Sequence, residues 1–307
     1  MRKVTGIKIV ITILVFLCGC GDVKEGAKKE FYQSGEIKSE YTYKGGERLG
    51  KFFEFGLDGR LLMEGDIQKD VIYKIVYDYF IDGKLKGRVE FVNQMRDGIT
   101  KMYYSTGTLH VEKTYRKDKL EGVLREYSPN GTLELERTYK DNKLNGSSKE
   151  YINGEIKFEN FYRDDKLNGV AKEYYFTGEI KYEKSYKDDV LHGLSKEYSE
   201  AGHLLYMDTF EQGERISHKE FYDSGSIMRD TIFEDGKAVW VKEYYDQGVL
   251  MRERLIDSGR PTQINEYYEN GTVLYRKFFN DNGVLIRMEK FDPHGNFLDA
   301  DNRIDRR

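Results

Sequence analysis

Hydrophobic positions along this chain recur with two superimposed periods. The short one is two residues: Ile180 and Tyr182 alternate with Lys181 and Glu183. That spacing is the strand period, in which residues two apart share a face. The helical spacing i, i+3, i+4, i+7 does not recur. The long period is 23 or 24 residues. It is marked by turn glycines at Gly35, Gly59, Gly83, Gly107, Gly131, Gly154, Gly178, Gly202, Gly225, Gly248 and Gly271, followed at half steps by Gly283 and Gly295. Two residues after each glycine stands an apolar residue, such as Leu133 or Ile180. Eight after it stands an aromatic or isoleucine, such as Tyr139 or Tyr186. Four before it stands another aromatic, such as Tyr103, Tyr127, Tyr174 or Tyr198. The repeat at Gly154 is one residue short, and there Tyr151 stands three before.

Half a repeat holds one strand of about six residues and a turn, with no room for a helix. The pairs Asn130-Gly131, Asn145-Gly146, Asn153-Gly154, Asn168-Gly169 and Asp235-Gly236 carry the residues that tight hairpin turns demand. His192 stands before Gly193 where Asn145 and Asn168 stand, and reads as a turn residue too. The predicted fold is all-β: an elongated antiparallel meander of stacked hairpins, about 11 repeats long, in which each repeat contacts mainly its neighbours. The shared parity of the marker positions predicts one apolar face and one charged face.

Composition supports strands: among 307 residues there are 31 Gly, 25 Tyr and 17 Phe but only 3 Pro. Charged residues make up 34%, yet the net charge is −4, so there is no basic stripe for nucleic acid. The N-terminus differs from the rest. Arg2, Lys3 and Lys8 precede the apolar run Ile9 to Leu17, too short to span a bilayer. "LCGC" follows and resembles the lipobox of bacterial lipoproteins, which implies cleavage before Cys20 and lipidation of that cysteine. The expected organisation is a lipoprotein signal peptide at 1–19, lipidated Cys20 with a short tether to residue 29, a repeat array at 30–297 and a polar tail at 298–307. Removing the three signal-peptide cations takes the formal charge from −4 to −7. Cys18 and Cys20 are the only cysteines, so the mature body has no disulfide and no cysteine metal site.

The unit "G-x-x-K-E-Y-Y-x-x-G-x-I-x-x-E-x-x-Y-K-D-x-x-L-x-G", clearest from Gly122 to Gly193, closely resembles the bacterial variant of the MORN repeat. That resemblance implies a twisted sheet of stacked hairpins. Bacterial proteins of this kind are often grouped as antitoxins or immunity proteins, and other MORN proteins are scaffolds or membrane-associated adaptors. The glutamates preceding the first aromatic, among them Glu126, Glu150, Glu173, Glu197, Glu220, Glu243 and Glu266, repeat too regularly to form one catalytic constellation. They read as a ladder paired with lysines of the next strand. The five histidines share no register and read as exposed and unpaired, and neither a metal motif nor a phosphate loop occurs. No cofactor is expected.

Two features depart from the repeat. Trp240 is the only tryptophan, and Tyr222, Tyr245 and Tyr268 follow the first aromatic in three successive repeats. Together they form the candidate partner-binding stripe. The expectation is a non-catalytic lipoprotein of the bacterial envelope that binds a toxin-like protein partner, with a lipid- or glycan-binding scaffold as the alternative. Gly21 after Cys20 lacks the aspartate of many inner-membrane lipoproteins, which favours the outer membrane if the host is Gram-negative.

Overall fold

A computed structural model describes residues 24–302. The signal segment and Cys20 lie outside the described residues. Those that are described form strands and turns without a helix, and none is long and apolar enough to cross a membrane as a helix. Contacts divide the chain into two units, Met1–Tyr77 with Phe91–Asn93, and Asp78–Glu90 with Gln94–Arg307. In the first, strands Glu25–Phe31, Ile37–Lys44, Glu47–Phe55, Leu61–Gln68 and the start of Val71–Tyr79 pair in chain order. In the second, strands from Met95–Tyr103 to Phe297–Asn302 do the same. Every pairing is antiparallel, so each unit is a meander of hairpins, as the two-residue period predicts.

The array is longer than expected at both ends. Residues 25–29, expected as tether, are strand paired with Tyr41 to Lys44 and Glu40, because Lys29 meets Glu40 across the ladder. Residues 298–302, expected as polar tail, are strand as well: Asp299 pairs with Lys290 and Asp301 with Met288. Both segments are polar because an edge strand needs no apolar face.

Each repeat uses two turn types. At the glycine markers the chain makes a three-residue loop. In Tyr222 to Ser226, the Gly225 N–H donates to the Tyr222 carbonyl at 2.9 Å and the Tyr222 N–H to the Ser226 carbonyl at 2.9 Å. Gly225 takes φ +88°, the left-handed value that closes a type I turn with a glycine bulge. The other turn has two residues, both at positive φ: Asp141-Asn142, Asp164-Asp165 and Asp188-Asp189 are examples. Asp and Asn tolerate that region better than other side chains. The short repeat is thereby explained. Asn153 (φ 55°) and Gly154 (φ 87°) form a two-residue turn between Ile152 and Glu155, in place of the three-residue loop.

Asn145-Gly146, Asn168-Gly169 and His192-Gly193 are not turns. His192 and Gly193 lie within strand Val190–Tyr198, and Asn145-Gly146 within Lys143–Ile152. The glycines make bulges, with φ of +121° at Gly146 and +101° at Gly193. A Cβ on Gly146 would lie 3.0 Å from the Thr138 Cβ. Both backbone angle and space demand glycine there.

Bulges also overturn the expected separation of faces. Each glycine hairpin shifts register by one residue, as between Glu197 and Tyr198 against Tyr206 and Leu204. An odd shift changes side-chain parity from one strand to the next. Tyr198 therefore shares a face with Lys196, whereas Tyr186 shares the opposite face with Tyr182 and Glu197. Apolar and charged residues are mixed on both sides. Accordingly, only Phe52, Tyr115 and Val241 are buried among the described apolar residues. Stability is spread along the ladder, without a thick core.

Candidate interaction surface

In the second unit, residues directly opposite one another across the pairings form continuous rows. One row runs Lys101, Glu112, Arg125, Glu136, Lys149, Glu159, Lys172, Glu183, Lys196. Charge alternates at every step, with strands about 4.8 Å apart. The row is interrupted at Met207 and resumes with Lys219, Asp230, Lys242 and Glu253. Ion pairs close along it: Lys101–Glu112 at 2.7 Å, Arg125–Glu136 at 2.7 Å, Lys149–Glu159 at 3.3 Å and Lys172–Glu183 at 3.6 Å. Hydrogen bonding to Glu112 and Glu159 raises the ammonium pKa values of Lys101 and Lys149 above the ordinary lysine value. From Glu112 to Glu183 each anion stands opposite a cation on both sides, so the row is a network and not a set of isolated surface pairs.

Tyrosines from the register four before the glycine cap this row. Tyr174 donates its hydroxyl to Glu159 at 3.2 Å, Tyr198 to Glu183 at 3.0 Å and Tyr267 to Glu253 at 2.6 Å. Burial, with the adjacent carboxylate, pushes all three phenols up to about 12. Beside the charges on this same face lies a thin line of apolar side chains, including Ile99, Phe161, Val170, Leu194 and Leu255, each 37–43% exposed. These are open enough to be covered by a partner.

Trp240 belongs to this line, opposite Ile232 and Leu255. The Lys242 ammonium sits 3.8 Å from the centre of its ring, a cation–π contact. The buried indole N–H has no partner at hydrogen-bond distance, yet it faces Glu253 closely enough to favour the charged carboxylate. Although burial opposes ionisation, Tyr267, Asn265 and Trp240 together hold the Glu253 carboxyl below its ordinary value.

The repeated glutamates occupy the opposite face. Some meet the expected lysines of the next strand, as Glu266 meets Lys277 at 3.0 Å, but directly across the ladder stand other residues. Glu126, Glu150, Glu173 and Glu197 face Leu135, Phe158, Tyr182 and Tyr206. Lysines reach them only diagonally, as Lys157 and Lys181 reach Glu173 at 3.2 and 3.7 Å. Further along, arginine replaces the aromatic and the row becomes Glu220, Arg229, Glu243, Arg252, Glu266. Glu243 is only 9% exposed and receives Arg229, Arg252 and Arg254 at 3.4, 3.3 and 3.1 Å. A carboxylate that far from water needs such partners. On the same face His218 is neither exposed nor unpaired: Nδ1 lies 2.8 Å from Asp208, and the ring stacks on Tyr206. No group of three His, Cys, Asp or Glu among the described residues is arranged to hold a metal ion.

The tyrosine stripe has a structural task that the sequence did not reveal. Tyr222 donates to the carbonyl of Tyr244 at 2.8 Å, Tyr245 to that of Tyr267 at 3.3 Å and Tyr268 to that of Phe291 at 3.1 Å. Tyr32, Tyr104 and Tyr175 do the same one repeat onward. Each hydroxyl staples one glycine loop to the next. Among the structural markers, Gly107, Gly131, Gly178 and Gly202 all close such loops, and Tyr127 and Tyr198 offer the receiving carbonyls.

A comparison with curated proteins gives no match. Among solved structures, TcdB2-TccC3 is similar at 11% identity and TM-score 0.20, covering 91% of this chain and 21% of that one. TcdB2-TccC3-Cdc42 is similar at 12% identity and TM-score 0.23, covering 92% and 21%. The chain thus spans about a fifth of the length of these structures. Five of its own segments, residues 24–44, 96–117, 120–141, 167–188 and 191–212, match the MORN repeat variant.

Proposed function

We propose that this protein is a non-catalytic bacterial lipoprotein, anchored through Cys20, whose repeats hold a protein partner against the ionic face. The observation that carries the reading is the row Lys101 to Lys196 lying beside half-exposed apolar side chains. Alternating charges specify the register of a partner, and apolar contacts supply affinity. The partner class we favour is a toxin-like protein, making this an immunity or antitoxin-type binder in the cell envelope. A lipid or glycan ligand on the tyrosine stripe is less well supported, because the hydroxyls of Tyr222, Tyr245 and Tyr268 are already engaged.

The test is direct. The product of the adjacent gene is titrated against the purified chain by calorimetry, and host growth is followed with and without the chain. Binding with growth protection, both weakened by Leu194→Lys, is the expected result. A chain that neither binds that product nor protects against it overturns the proposal.

A further inference from the structure

The two-residue turns clamp each repeat to the one before. The second turn residue uses two atoms on a single residue about 22 positions earlier. Asp165 donates its N–H to the Leu144 carbonyl at 2.9 Å, and its side-chain oxygen accepts the Leu144 N–H at 2.7 Å. Asn142 holds Leu120 in the same way, Asp189 holds Leu167, and Asp118 holds Arg96, with side-chain contacts of 2.7, 2.7 and 2.9 Å. The first turn residue adds an ion pair: Asp141 with Lys119 at 2.7 Å, Asp164 with Lys143 at 3.8 Å and Asp188 with Arg163 at 3.5 Å.

At the next turn both carboxylates disappear. Gln212-Gly213 stands where Asp188-Asp189 stands one repeat earlier. The Gly213 N–H still donates to the Leu191 carbonyl at 2.8 Å, so the backbone half of the clamp is intact. Gly213 has no side chain to accept the Leu191 N–H. Lys187, one repeat on from Arg163, meets neutral Gln212 and forms no ion pair among the described residues. At this point lies a cavity of about 270 Å³ lined by Lys187, Asp188, Val190, His192 and Gln212. The Asp188 charge is already engaged by Arg163 and by Asn168 at 3.1 Å. The Gln212 N–H donates to His192 Nδ1 at 3.4 Å, which leaves that nitrogen as an acceptor.

We propose that this gap is a carboxylate-binding site, filled by an aspartate or glutamate side chain or a chain terminus of a peptide. The other clamps define the chemistry: an sp² oxygen at hydrogen-bond distance from a backbone amide, with a cation flanking the preceding turn, just after it at Lys119 and Lys143 and just before it at Arg163, the position Lys187 takes here. A ligand carboxylate accepts the Leu191 N–H with one oxygen and the Lys187 ammonium with the other, as charge-assisted bonds favour. Val190 offers an apolar wall to the attached carbon chain.

The test uses the full chain labelled with ¹⁵N-leucine and two probes, N-acetylglycine for a chain terminus and N-acetylaspartate amide for a side chain. The Leu191 amide resonance is expected to shift saturably with a dissociation constant on the order of millimolar, as suits one charge-assisted contact and one hydrogen bond. The tighter probe identifies the source of the carboxylate. Gly213→Asp supplies the missing group from within, at a turn position where Asp165 and Asp189 already adopt φ 69° and 71°. It should abolish the shift, and Lys187→Met should weaken binding several-fold. A Leu191 amide that neither probe moves, or that moves equally in both variants, overturns the assignment. Because the probes are small, this holds whether or not a protein partner binds the ionic face.

Discussion

Reversing one charge within the alternating row tests whether it is a network. Glu159 pairs opposite both Lys149 and Lys172, lies 3.3 Å from the Lys149 ammonium, and accepts the Tyr174 hydroxyl. Opposite-charge cross-strand pairs contribute roughly 0.2–1 kcal/mol each, and like charges opposed cost a similar amount. Glu159→Lys removes two such attractions and installs two repulsions. It also takes the charged acceptor from Tyr174, worth about 1 kcal/mol. The Glu159 side chain is 17% exposed and that of Lys149 32%, so solvent screening keeps the electrostatic part well below its low-dielectric limit. The total comes to about 2–4 kcal/mol. Glu159→Gln loses only the attractions and keeps an acceptor for Tyr174, so it should cost about 0.5–1.5 kcal/mol. Urea midpoints of both variants, at low salt and at about 1 M where the Debye length falls to roughly 3 Å, measure the gap between them. The gap should narrow with salt. If Lys is no worse than Gln, or the gap ignores salt, the row is a list of independent surface charges and the reasoning fails.

Two further outcomes are expected. Tyr245→Phe removes the staple to the Tyr267 carbonyl and should destabilise by about 0.5–1.5 kcal/mol, read by thermal unfolding, with faster amide exchange confined to the neighbouring loops. The phenols of Tyr41, Tyr174, Tyr198 and Tyr267 are held protonated up to about 12, against about 10 unfolded. Their contribution is therefore complete below about pH 10 and is lost as pH rises toward 12, so unfolding midpoints should fall across that window while tyrosinate absorbance lags behind that of free tyrosine.

Much of the ladder was legible in the sequence, for a physical reason. Strand period, turn glycines and repeat length are local properties, and Gly107, Gly131 and Gly178 mark loops where the pattern put them. Less legible was anything decided by a register shift. One bulge per hairpin reverses parity, so Tyr198 joins Lys196 while Tyr186 joins Glu197, and the expected single apolar face divides in two. Asn-Gly is a turn at Asn153 but a bulge at Asn145, since either site needs positive φ at glycine. A usable signal for the second turn type did exist. Acidic or amide pairs at Asp141-Asn142, Asp164-Asp165 and Asp188-Asp189 recur at the repeat length. The tyrosine staples had no such signal, because a side chain bonded to a carbonyl 22 or 23 residues away leaves no local pattern. Trp240, expected in a partner-binding stripe, stands opposite Ile232 and Leu255 with its ring beneath the Lys242 ammonium, a setting fixed by pairing between strands.

The turn at Asn153-Gly154 has a consequence for how such a chain can change. A residue has been lost there, yet Glu150 still meets Phe158 and Lys149 still meets Glu159 on either side of the ladder. The loop changed type, and the rows continued without a fault. Length variation is thus absorbed at the loops and does not reach the pairing between strands. That makes each loop a place where evolution, or an experimenter, can graft a peptide of chosen length while the charges that define the surface stay in step.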